Sequence, residues 1–178
     1  MGFDKVILGR QFRVMLIYMY LFMIICYFFM LINLINLSLV GASGYWSFSI
    51  FGASHTRFAL FMILIFTITE TIVMYFFIST GKAIKSAITS GLGEEELWSR
   101  ERKLKMVLFP QLMLTIFLIG GWFIHIGAVE NNMPTKWLHW PLFLVAYLHH
   151  LWSLKIKNDS FREQLSIISE LEPEEVEN

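Results

Sequence analysis

Four long runs almost free of charged side chains constrain this chain more than any other feature. A helix rises about 1.5 Å per residue, so roughly 20 residues cross a hydrocarbon layer of about 30 Å. Runs of that order occupy residues 14–40, 58–79, 106–126 and 137–154, and only the second holds an acid or base well inside it. Lipid offers no partner to a backbone amide, so each run must pair its own amides as a helix. The expected fold is an all-α integral membrane protein. It is a four-transmembrane-helix bundle over residues 1–157, followed by a cytoplasmic amphipathic and acidic tail over 158–178.

Composition narrows the class further. The chain is 56% hydrophobic and 16% charged, with a mean hydropathy of +0.60 and a formal net charge of zero. A soluble domain needs a charged shell, and a nucleic-acid partner needs a continuous basic face, so both are excluded. The lone cysteine, Cys26, can form neither an internal disulfide nor a thiolate cage for a metal.

Orientation follows from the basic residues, whose excess marks the cytoplasmic side. Twelve of the fourteen Lys and Arg residues lie in the N-terminal segment, the middle loop and the tail, whereas the other two loops carry only Arg57 and Lys136. Both termini are therefore expected in the cytoplasm, in a multi-pass protein of the bacterial inner membrane. The first run is about twice the 7 to 15 residues of a signal-peptide core, and so reads as a retained helix.

The connections carry their own signals. Gly41, Gly44 and Gly52 with Tyr45, Trp46, Phe48 and Phe51 predict an apolar outer loop folded over the bundle. Gly91 and Gly93 predict a turn, and Glu94, Glu95 and Glu96 then open a charged helix that runs into the third span. In the tail, Asp159 or Ser160 is placed to cap a new helix whose apolar stripe, Phe161, Leu165, Ile168 and Leu171, needs cover from the membrane surface, the inner loop or another subunit.

Two groups of residues point to chemistry. Glu70 is the only acid inside any span, near the bilayer centre, where a charge costs at least ~2.5 kcal/mol. Thr67, Thr69 and Thr71 are near enough along the helix to hydrogen-bond its carboxyl. Glu70 is the candidate catalytic or proton-carrying residue; the alternative is a polar contact that packs helices together.

Histidines form the second group. His125 and His139 lie seven residues either side of Asn132, at one depth near the outer face, and His55 is on the same side about 9 Å higher. On the third span Gln111, Thr115, Leu118, Trp122 and His125 share a face, with Gly120 and Gly121 beside them to admit a helix or a flat ring. On the fourth, His139, Phe143, Ala146 and His150 form one stripe. His125 and His139 with Trp122 suit a haem b, and His55, His125 and His139 suit a transition metal. Hydrogen bonding to a quinone is the third use. His149 and His150 read as interfacial residues near lipid phosphates. Asn33 and Asn36 are expected to bond across to another helix or to the outer loop.

Three functions remain. The first is a small membrane subunit of an electron-transfer or oxidoreductase complex, with haem or metal near the outer face. The second is a proton or ion pathway through Glu70, in which a conducting pore requires an oligomer because only Thr67, Thr69, Thr71 and Thr115 share its depth. The third is a non-catalytic accessory or assembly subunit. All three imply membrane lipids and other membrane subunits, or further copies of the chain, as partners.

Overall fold

The computed structural model describes residues 2–171, with side chains from residue 16 onward. The acidic run after Leu171 and the side chains of Lys5, Arg10 and Arg13 lie outside the described residues. Among those described the chain is all-helical, with four long helices: α1 (Gly2–Trp46), α2 (His55–Thr89), α3 (Glu95–Glu130) and α4 (His139–Ser169). A short 3₁₀ turn, Pro134–Leu138, leads into α4. Neighbours in sequence pack side by side, and a lighter contact between α1 and α4 closes the bundle.

Three of these helices, α1 to α3, are long and apolar enough to cross a membrane, which makes this a multi-pass membrane protein. By the same measure α4 is not apolar enough. Its histidines and Pro141 lower its mean hydropathy, although the face it turns outward is apolar, with Leu144, Val145, Leu148 and Trp152 exposed.

Each helix outruns the apolar stretch that announces it, because a helix already nucleated continues wherever its backbone stays paired and one face stays covered. Helix α1 runs to Trp46, so Gly41 and Gly44 belong to it and not to the loop. The outer loop is only residues 47–54. It tucks Ile50 into the apolar interior and closes on a bridge between Ile50 and Ala53. The inner turn forms at Gly91 and Gly93, whose φ of +84° and +80° favour glycine, and α3 then runs unbroken from Glu95.

No cap interrupts the chain at Asp159 or Ser160; α4 continues straight through. Its apolar stripe is covered from within the chain, Phe161 stacking on Phe77 of α2 and on Tyr27 of α1. Ile168 and Leu171 close a cluster with Met19, Ile84 and Leu97 at the inner end. Of the three covers expected for this stripe the inner loop supplies part, through Leu97, and helices α1 and α2, which were not among them, supply the rest. Arg100 of α3 clasps the same end of α4, donating to Glu163 at 2.8 Å and to Glu170 at 2.7 Å, and this hydrogen bond holds the Glu170 carboxyl below its usual range.

Candidate functional site

Two apolar clusters fill the bundle, and each helix contributes to both. The outer one includes Leu37, Phe66, Ile119 and Ala146; the inner one includes Met30, Val73, Leu112 and Phe161. Between those two positions every helix places something polar: Asn33 on α1, Thr69 and Glu70 on α2, Thr115 on α3, and His150, Ser153 and Lys157 on α4. All seven are buried. A polar layer drawn from all four helices is thus sealed between two apolar ones.

Its centre is an ion pair. Lys157 Nζ donates to Glu70 Oε1 at 2.5 Å, and both side chains are 0% exposed. The hydroxyls expected to serve Glu70 are engaged elsewhere: Thr67, Thr69 and Thr71 each donate to the carbonyl four residues back, the ordinary fate of a helical threonine. The partner is therefore a cation on another helix. Lys157 looks in sequence like a cytoplasmic residue that follows an apolar run, yet the inward stripe of α4, His139, Ala146 and His150, extended by seven residues, lands on it. An acid paired with a cation from the same chain also removes the need for an oligomer to supply polar company.

Around the pair, polar atoms outnumber partners. Among the described residues Glu70 Oε2, Ser153 Oγ, both ring nitrogens of His150 and both amide atoms of Asn33 are buried without a hydrogen bond. An orphaned buried polar atom costs about 1–3 kcal/mol, so the six in this layer are unmet donors and acceptors that water or another small polar group could satisfy. His150 is fully enclosed, edge-on to Phe66 with ring centroids 5.9 Å apart, and not at the lipid phosphates. His149 bonds to α3 instead, within 3.0 Å of Thr115 Oγ1 and 3.2 Å of Gln111 Oε1. Asn33 does not bond across to another helix.

Towards the inner face the polar stripe of α4 continues to Gln164, buried beside the Glu101 carboxyl of α3. Lys105 lies 2.8 Å from Glu101 Oε1, and the absence of a side chain at Gly81 makes room for this pair against α2.

The second site is the outer histidine cluster. His139 is the common neighbour, with ring centroids 5.8 Å from His55, 6.0 Å from His125 and 5.5 Å from Trp122. Gly44 admits His55, because a Cβ there would fall 2.8 Å from the imidazole. Ser43 Oγ lies 3.1 Å from His55 Nδ1. His55 Nε2, His139 Nδ1, Trp122 Nε1 and both nitrogens of His125 are buried and unpartnered among the described residues. The four residues singled out for this site do come together. Their arrangement is serial, with His139 in the middle, and among the described residues no three His, Cys, Asp or Glu side chains converge on a point that holds a metal ion. Gly120 and Gly121 face open space, and among the described residues no helix uses the room they leave. Between this cluster and the polar layer lie Met62, Phe66, Ile119 and Ala146, an apolar partition flanked by the paired hydroxyls of Ser38 and Tyr147.

No protein-family model, curated protein or solved structure matches this chain.

Proposed function

We propose that this chain is a four-span protein of the bacterial inner membrane, with both ends cytoplasmic, serving as a proton-handling subunit of a larger membrane complex. The two-faced character of α4 supports the fourth span: its mean hydropathy is low because its inward face is polar, while Leu144, Val145, Leu148 and Leu151 face outward. The distribution of Lys and Arg supports the orientation.

One observation carries the function, the sealed Glu70–Lys157 pair inside a polar layer to which all four helices contribute. Ionisable groups at membrane depth are costly, and an acid there is by default a functional-site hypothesis. A carboxylate and an ammonium in contact hold a proton that either can carry. On the inner side the apolar cluster around Phe161, Phe77 and Leu108 separates the pair from Gln164, Glu101 and Lys105, the next polar groups towards the cytoplasmic end. On the outer side the apolar partition blocks passage, so transfer requires the partition to open or to wet. The test is proton flux into liposomes holding the purified protein or its complex, read with an internal pH dye. Flux should fall to the background of empty liposomes in Glu70→Gln. Unchanged flux in that variant refutes the assignment.

The outer cluster favours a second reading, an electron-transfer subunit. Its supporting observation is five unpartnered ring nitrogens within one cluster. His125 and His139 would then hold a haem b, or His55, His125 and His139 a transition metal after modest rotation of the rings. A reduced-minus-oxidised spectrum and a metal analysis of the purified protein test this. A signal lost in His139→Ala supports the reading, and a colourless, metal-free preparation refutes it.

A further inference from the structure

A groove of about 350 Å³ opens between α3 and α4 at the inner end of the bundle, where the apolar belt gives way to charge. From α3 it is lined by Arg100, Lys103, Leu104 and Val107. From α4 it is lined by Ile156, Asp159, Ser160 and Glu163. Each set has the spacing i, i+3, i+4, i+7, so one face of each helix is turned to the groove. The two helices run antiparallel, as the contacts of Arg100 with Glu163 and of Thr115 with His149 require. Val107 and Ile156 therefore share one end, and the Arg100–Glu163 pair, 2.8 Å apart, closes the other. The first end belongs to the membrane. Val107 and its neighbour Met106 open the third apolar run and are both exposed, and Trp152 is exposed one turn before Ile156 with Lys155 Nζ 5.3 Å over its ring. An indole beside a lysine is the usual mark of the headgroup level.

The charges in the groove select its guest. Arg100 and Glu163 are engaged with each other, and Arg100 donates to Glu170 as well. Lys103 and Asp159 are not engaged: both are exposed, they stand on opposite walls, and among the described residues neither belongs to an ion pair. Lys155, one turn before Asp159 on α4, reaches over Trp152 instead. The four charged lining residues sum to zero, so the groove favours a guest that carries both signs. A phosphate alone would leave Asp159 without a counter-charge, and an ammonium alone would leave Lys103 without one. A phosphate joined to a primary ammonium serves both, and its N–H groups donate to the carboxylate, which a quaternary ammonium cannot do. The apolar end at Val107 and Ile156 receives the start of a hydrocarbon chain. A lipid reaches this end by diffusing along the membrane, a route closed to a soluble protein.

We infer that this groove binds the headgroup of a zwitterionic aminophospholipid of the phosphatidylethanolamine class, its phosphate on Lys103, its ammonium on Asp159 and its chains leaving past Val107. The site involves neither Glu70 nor the outer histidines, and stands or falls apart from the roles proposed for them.

Native mass spectrometry of the purified, delipidated full chain in mild detergent, titrated with the dioleoyl forms of phosphatidylethanolamine, phosphatidylcholine and phosphatidylglycerol, tests the inference. Phosphatidylethanolamine should bind about three- to fivefold more tightly than either of the others, the scale of one exposed charge pair. Asp159→Asn leaves the groove net positive and should move the preference to phosphatidylglycerol, whereas Lys103→Gln should weaken phosphatidylethanolamine by about three- to fivefold. Both residues are exposed, so neither change disturbs the packing of the bundle. Should either variant fail to fold, Val107→Trp, which fills the membrane end of the groove, tests the site in its place and should weaken all three lipids. Equal binding of the three lipids by wild type overturns the inference, as does a preference that Asp159→Asn leaves unchanged. So does a co-purifying protein on this face that phosphatidylethanolamine does not displace.

Discussion

Replacing Lys157 with methionine tests the central ion pair most directly, because the side chain keeps its length and apolar stem and loses only the charge. Both partners are fully enclosed, and among the described residues the second oxygen of Glu70 has no hydrogen bond, so Lys157 is the only group that compensates the carboxylate. Its removal leaves two orphaned oxygens on a buried acid. Breaking such a pair costs about 3–5 kcal/mol, a large share of the roughly 5–15 kcal/mol that holds a typical domain together. At about 1.4 kcal/mol per decade, the unfolded fraction should rise by a factor of roughly 10² to several times 10³. The partner change, Glu70→Leu together with Lys157→Met, removes both charges and should recover to within about 1–2 kcal/mol of wild type, because an apolar pair of similar volume also satisfies the site. Equilibrium unfolding of the purified protein in mixed micelles, with the two single variants and the double, gives the coupling energy as the failure of additivity. A Lys157→Met variant within about 0.5 kcal/mol of wild type would sink the reasoning, since that is the range of a surface substitution.

The same structure makes weaker demands elsewhere. Met62→Asn places an amide in the apolar partition and should raise proton leak in liposomes above wild type; unchanged leak would mean that the partition is not the barrier. Gly44→Val forces a side chain into His55, where even a Cβ would lie 2.8 Å away, and should lower the melting temperature by several degrees while a control at Gly120, which faces open space, stays near wild type. Cys26 is buried at 0% exposure, so a membrane-permeant maleimide should leave it unlabelled until the protein unfolds; rapid labelling of the native protein would show that α1 is not seated as described. The clasp at the cytoplasmic end has a pH signature. Arg100 lowers the Glu170 carboxyl from its ordinary 4.5, so its contribution is complete above about that pH and disappears as the pH falls below it; the difference in melting temperature between wild type and Glu170→Gln should vanish over that window, and a difference that persists in acid refutes the pairing.

How much of this could be read from residues alone depended on which force set each position. Three of the spans were legible because hydrocarbon leaves a chain no choice: twenty unbroken apolar residues have one solution. The outer cluster was legible too, since a hairpin turn at Asn132 places His125 and His139 at equal depth by counting, and only the closeness of His55 needed the glycine at position 44. Lys157 was not legible by the same logic. A lysine after an apolar run is the standard mark of a membrane boundary, and hydropathy averages over the very faces that distinguish α4, apolar towards lipid and polar inward. Thr67, Thr69 and Thr71 misled in the opposite sense, because proximity along a helix says nothing about whether a hydroxyl prefers its own backbone.

The spacing of polar residues along one face carried the information that their average concealed. His139, His150, Ser153, Lys157 and Gln164 recur at intervals of 11, 3, 4 and 7, each made up of threes and fours, the period of a helix seam, and all five are buried. A seam of that kind in a soluble bundle would be leucine. Here, with lipid as the solvent, apolar side chains gain nothing by turning inward, so the interior is where polar groups must go and where they can find one another. That inversion explains why the helix least convincing as a span holds the cation for the deepest acid in the chain. It also fixes what a variant must disturb: substitutions on the outward face of α4 should be tolerated when apolar, and those on the seam should fail in proportion to the partners they strand.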